Sequence, residues 1–132
     1  MLAIYLHEQL HWYVTWYSHK RSDQWRGVWA ALGGRYPDPP IGGGEGADTL
    51  SLTHLHLMVN WLEIEALSSL IGREAARAHV TQLHYCRWIY VSVLRDWDAL
   101  KRLYEPHQLV PILPAHKMST EDLALAARMN EA

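Results

Sequence analysis

Leu50–Ile71, LSLTHLHLMVNWLEIEALSSLI, is the stretch on which the fold turns. Leu55, Leu57, Met58, Val59, Trp61, Leu62, Ile64 and Leu67 leave it no continuous polar side, and neither Gly nor Pro interrupts it before Gly72. A segment this long and apolar nearly all round is predicted to be a buried central helix that ends at that glycine. His54, His56, Asn60 and Glu63 then stand out. At 100° per residue His56, Asn60 and Glu63 share one face, whereas Glu65 points nearly opposite to His56. An isolated carboxylate among so many apolar neighbours is costly, and a metal ion would remove that cost.

Upstream, residues 2 to 18 contain no Gly or Pro and place Leu6, Leu10, Tyr13 and Tyr17 at intervals of four, three and four, a helical stripe. Ser22-Asp23-Gln24-Trp25 offers an N-cap, and Trp25, Val28, Trp29 and Leu32 make a short second helix expected to stop at Gly33-Gly34. From Arg35 to Asp48, Pro37, Pro39, Pro40 and the glycines of Gly42–Gly46 rule out regular structure, so a long loop is expected. Such a loop serves either as a lid or binding segment or as a floppy connection.

Downstream of Gly72, β-branched Ile89, Val91 and Val93 suggest a strand. The recurrence of Leu83, Cys86, Tyr90, Val93, Trp97, Leu100 and Tyr104 at three and four outweighs that propensity. A long fourth helix is expected, broken near Val80-Thr81 and stopping before Pro106. Pro111 and Pro114 mark a linker, and a weak helix is expected from Ser119 to Met129. Four helical stripes without alternating strands predict a mainly α, compact single-domain bundle over residues 1–114, with a tail over 115–132.

Composition narrows the function. The chain has 132 residues, 49% apolar and 20% charged, which suits one folded domain. A net charge of −2 argues against nucleic acid, whose binders gather Lys and Arg on one face. No apolar run reaches the roughly 18 residues of a membrane span, no secretory leader is visible, and Cys86 is the one cysteine. A cytoplasmic, non-membrane protein is the expectation. Seven Trp and seven Tyr must supply the aromatic volume, since Phe is absent.

The chemistry lies in His7-Glu8-Gln9-Leu10-His11. Residues four apart stack on one helix face, so His7 and His11 can reach one tetrahedral zinc ion. Glu8 sits one step round the helix, placed to take a proton from a zinc-activated water as general base.

This HExxH segment, with uncharged Ile4-Tyr5-Leu6 before it and Trp12-Tyr13 after it, resembles the zincin metallopeptidases over residues 4 to 13. The resemblance implies His7 and His11 as zinc ligands and Glu8 as catalytic base. The metzincin continuation would need a histidine where Tyr17 stands, so that branch is rejected. The gluzincins take a Glu from a later helix, and Glu63 is the choice here. Glu63-Ile64-Glu65-Ala66 is also similar to the glutamate helix of the peptidases that cleave bacterial and phage repressors, where either Glu63 or Glu65 maps to the ligand. His56 is an alternative third ligand. Otherwise His56 and Asn60 would orient a ligand or stabilise an oxyanion, a role also open to Tyr90, Tyr85, His84 or His79.

Zincins place a sheet before the HExxH helix, whereas six residues precede His7: either the start of the chain has been lost, or this is a reduced zincin without that sheet that binds substrate by other means, or it keeps metal without proteolysis. The implied partner is a peptide or protein substrate. Two other classes remain: a non-catalytic, metal-stabilised interaction module, and a di-iron bundle reading Glu8-Gln9-Leu10-His11 as Glu-x-x-His. The second would need another Glu-x-x-His, and none occurs.

Overall fold

The computed structural model describes residues 2–111 together with residues 120, 121 and 124. Its helices are α1 (Leu2–Lys20), α2 (Ser22–Arg35), α3 (Leu50–Ile71), α4 (Arg73–Thr81), α5 (Arg87–Arg95) and α6 (Trp97–Tyr104), followed by a 3-10 turn at Glu105–His107. No strand occurs among the described residues, and the chain is the mainly helical bundle its stripes predict. Residues 120, 121 and 124 are helical. The rest of the weak helix expected from Ser119 to Met129 lies outside the described residues, as does the boundary set between 114 and 115.

The central helix has the bounds expected of it. Thr49 opens α3 in an extended conformation, and its hydroxyl accepts the Leu52 N–H at 3.1 Å, satisfying one orphan donor of the first turn. Gly72 closes it at φ 91°, a conformation that costs any residue with a Cβ. Leu57 through Ile64 are all buried, so α3 is the axis against which α1, α4 and α5 pack. On α1 the buried residues are Leu10, Tyr13, Val14 and Tyr17, while Ile4, Tyr5 and Trp12 are exposed. His7 and His11 lie at the border between the two faces, half-buried against α3.

Three expectations are corrected. The fourth helix breaks after Thr81, as expected, but resumes only at Arg87, after Cys86 in the left-handed conformation at φ 51°, and breaks again where Asp96 leaves helical geometry at φ −100°, ψ 25°, so it is three helices. Its apolar stripe survives, with Tyr90, Val93, Trp97, Leu100 and Tyr104 buried, since each short helix keeps its inner face on the same core. Gly33-Gly34 does not end α2, which continues to Arg35. Tyr36 anchors that last turn: its N–H bonds the Leu32 carbonyl, its carbonyl accepts from His54 at 2.8 Å, and its hydroxyl donates to Asp96 at 2.7 Å. These tertiary bonds outweigh the roughly 1 kcal/mol that each helical glycine costs. Ser22 is not an N-cap either, because Arg21 precedes α2 without a capping side chain and the backbone bonds Arg21 N–H to Tyr17 and Trp25 N–H to Arg21 run almost unbroken from α1.

The loop over 36–48 is docked. Gly42, Gly43 and Gly44 all have positive φ, and a Cβ on Gly46 would overlap the Pro40 carbonyl. This turn presents the Gly44 and Glu45 carbonyls to the Arg87 and Trp88 N–H groups at 3.0 and 3.1 Å, capping α5.

Candidate metal centre

Helical spacing brings His7 and His11 to one face of α1, and the α1–α3 packing sets His56 against both. The ring centroids lie 4.7 Å apart for His7 and His11, 4.9 Å for His11 and His56, and 5.5 Å for His7 and His56. One nitrogen from each ring falls within 4.8 Å of the others. Among the described residues this is the group of His, Cys, Asp and Glu side chains able to hold a metal ion.

The outer hydrogen bonds set which nitrogen each ring turns inward. The Nδ1 of His56 lies 2.7 Å from the Leu52 carbonyl. A carbonyl only accepts, so that Nδ1 carries the proton and Nε2 keeps its lone pair. His7 Nδ1 faces Glu63 Oε2 at 2.9 Å and donates to the carboxylate for the same reason. In the neutral ring the lone pair then sits on His7 Nε2, 3.0 Å from His11 Nε2. A metal-ligating histidine typically donates its second nitrogen to a carboxylate or a backbone carbonyl, and His7 and His56 do one each.

Glu63 thus stands behind His7. The expectation had Glu63 as third ligand with His56 as alternative; in the structure the third inward-facing nitrogen belongs to His56. Glu63 is 2% exposed, and Tyr90 from α5 donates its hydroxyl to Oε2 at 2.9 Å and Oε1 at 3.2 Å. Tyr90 is itself buried and engaged with this carboxylate rather than turned toward solvent. Its relation to Glu63 was missed because the two are 27 positions apart in sequence. Tyr85, half-exposed with its ring 6.4 Å from that of Tyr90, lies nearer the surface. Glu65 faces away, toward Lys101, Arg73 and Arg77. Glu8 is exposed on α1, near enough for its charge to act on His11.

Burial, reinforced by the neighbouring His7 and His56, lowers the pKa of His11 below the ordinary imidazole value. Burial likewise lowers that of His56, against the opposing pull of its bond to Leu52. Both rings are thereby held neutral near pH 7, the state in which imidazole ligates a metal. Burial first, and the Glu63 charge second, push the Tyr90 phenol well above its ordinary value, so it stays a donor.

These residues fit a zinc ion. Two nitrogens at about 2.1 Å on a tetrahedral centre stand roughly 3.4 Å apart, close to the His7–His11 pair. Asn60 adds a second sign of missing polar company: it is fully buried one turn from both His56 and Glu63, and neither end of its amide has a partner. Unpaired buried amides are rare, because each costs about 1–3 kcal/mol. A separate depression of about 530 Å³ at the α3–α4 corner, lined by Ile71, Arg73, Glu74 and Ala78, contains none of these side chains.

No helix among the described residues is long and apolar enough to cross a membrane. No family model matches the chain, and neither a curated protein nor a solved structure matches it.

Proposed function

We propose that the chain is a zinc-dependent hydrolase, of the metallopeptidase kind, with His7, His11 and His56 as ligands and Glu8 as general base. One observation carries the reading: three imidazoles from two packed helices converge, with an exposed carboxylate one step round α1. Bound there, zinc would supply Lewis acidity for a carbonyl and would acidify water to a pKa of about 7. Glu8 accepts the proton of the attacking water and returns it to the leaving amine. Glu63 keeps the His7 ring oriented and in the Nδ1–H tautomer. Three protein ligands would leave a bound zinc room for water or substrate, as in catalytic sites, whereas structural zinc sites are closed by four. The peptide bond as target, and a cytoplasmic setting, rest on the HExxH resemblance and on the lone Cys86.

The test compares wild type with Glu8→Gln, both verified to carry one zinc, in an unbiased cleavage screen of a proteome digest. Zinc-dependent cleavage by the wild type alone is expected. Indistinguishable profiles would remove the hydrolase reading and leave a metal-stabilised interaction module.

A further inference from the structure

Glu63 has two oxygens to satisfy in a place where water does not reach it. His7 Nδ1 serves Oε2, and the Tyr90 hydroxyl straddles both oxygens at 2.9 and 3.2 Å. A buried carboxylate with one donor is free to turn about its last torsion; one held from two helices is not. His7 comes from α1, Glu63 from α3 and Tyr90 from α5, so the chain of bonds ties three helices to one ring.

We infer that Tyr90 is a positioning residue for the zinc centre: by pinning the Glu63 carboxylate, it keeps Glu63 on His7 Nδ1 and so keeps the His7 Nε2 lone pair aimed at His11 and His56. The inference rests on the zinc-site reading above and deepens it. Tyr90's hydroxyl bonds Glu63 and, on this reading, acts on His7 only through it. Its other neighbours fit a fixed rather than a reactive role. Tyr85 packs edge-on against it at 6.4 Å, and the 36–48 loop caps the helix that carries it. Partners that orient a ligating histidine are each worth about 10- to 100-fold in metal affinity, and Tyr90 is one bond farther out.

The experiment is a zinc titration of the full chain against a chromophoric chelator, for wild type, Tyr90→Phe, Glu63→Gln, the double variant, and Tyr104→Phe. Tyr104 is a buried tyrosine whose hydroxyl has no partner, and it controls for loss of a hydroxyl as such. Tyr90→Phe should bind zinc about 10-fold more weakly. In the Glu63→Gln background the same change should add little, since residues acting through one another are not additive. Tyr104→Phe should match wild type. Affinity of Tyr90→Phe within about twofold of wild type, or a full additive loss in the double variant, overturns the assignment while leaving the zinc site standing. A wild type that binds no zinc overturns the zinc reading and this inference with it. The wild-type chain offers a second reading should Tyr90→Phe fail to fold: in ring-labelled protein, zinc should move the Tyr90 Cζ resonance and leave that of Tyr104 in place. A Tyr90 signal unmoved by stoichiometric zinc overturns the coupling.

Discussion

Two carboxylates in this molecule each accept from a tyrosine hydroxyl, yet they sit in opposite chemical company. Asp96, at the α5–α6 break, takes the Tyr36 hydroxyl at 2.7 Å and two Arg95 nitrogens at 3.0 and 2.9 Å, with Arg35 at 3.6 Å. Glu63 takes the Tyr90 hydroxyl at 2.9 Å and a histidine nitrogen at 2.9 Å. Arginine has no lone pair to offer and never loses its charge, so the Asp96 cluster ends in itself and holds two helices and a loop together. Imidazole has a second nitrogen, so a bond made on one side of His7 fixes a lone pair on the other. The same carboxylate–tyrosine pair therefore acts as a clamp in one place and as the back wall of the histidine cluster in the other.

The sharpest way to break this contrast is to remove a ring. His7→Ala or His11→Ala should abolish stoichiometric zinc by elemental analysis, whereas Asp96→Asn should leave the zinc content of the folded protein unchanged. Equal zinc in all of them would place the metal elsewhere or nowhere. Next comes the base: Glu8→Gln should keep zinc and lose about 100-fold or more in hydrolysis rate, the usual worth of a positioned base. A loss of both zinc and rate would make Glu8 a ligand instead.

A smaller effect separates ligand from orienting partner. His56→Ala should weaken zinc binding more than Glu63→Gln, for which a loss of about 10- to 100-fold is expected, and Glu65→Gln should do almost nothing. If chelator competition ranks Glu63→Gln as the more damaging change, Glu63 belongs in the ligand set and His56 behind it. The smallest effect belongs to the clamp. Hydrogen bonds from Arg95 foremost, and from Tyr36, depress the Asp96 pKa from 3.8 to about 2. Because the folded value is the lower one, the stabilisation is present above pH 3.8 and is lost as pH falls through about 2. Both guanidiniums are largely exposed and screened, so Asp96→Asn should cost on the order of 1 kcal/mol in urea melts at pH 7. That difference should fade as pH drops below about 2, and a cost that persists there would show that packing, not charge, dominates the clamp.

The sequence by itself determined the helical class, the bounds of the central helix and the pairing of His7 with His11. Each of these rests on periodicity within a single element: apolar residues all round Leu50–Ile71, and two imidazoles one turn apart. It also isolated Glu63 as a carboxylate that needed a partner, because a charge in an apolar helix is conspicuous wherever that helix packs. Tertiary structure alone decided which partner. His56 and Glu63 share one face of α3, and spacing could not rank them; the docking of α1 put His7 between them, with one nitrogen for each side. The same holds for the start of α5 after Cys86, for the break at Asp96 and for the continuation of α2 through Gly33-Gly34. Each depends on a bond to a residue distant in the chain: Gly44 and Glu45 capping α5, and Tyr36 joining Asp96 and His54. Local propensities are worth about 1 kcal/mol or less per residue, and buried hydrogen bonds made only in the folded protein are large enough to overrule them.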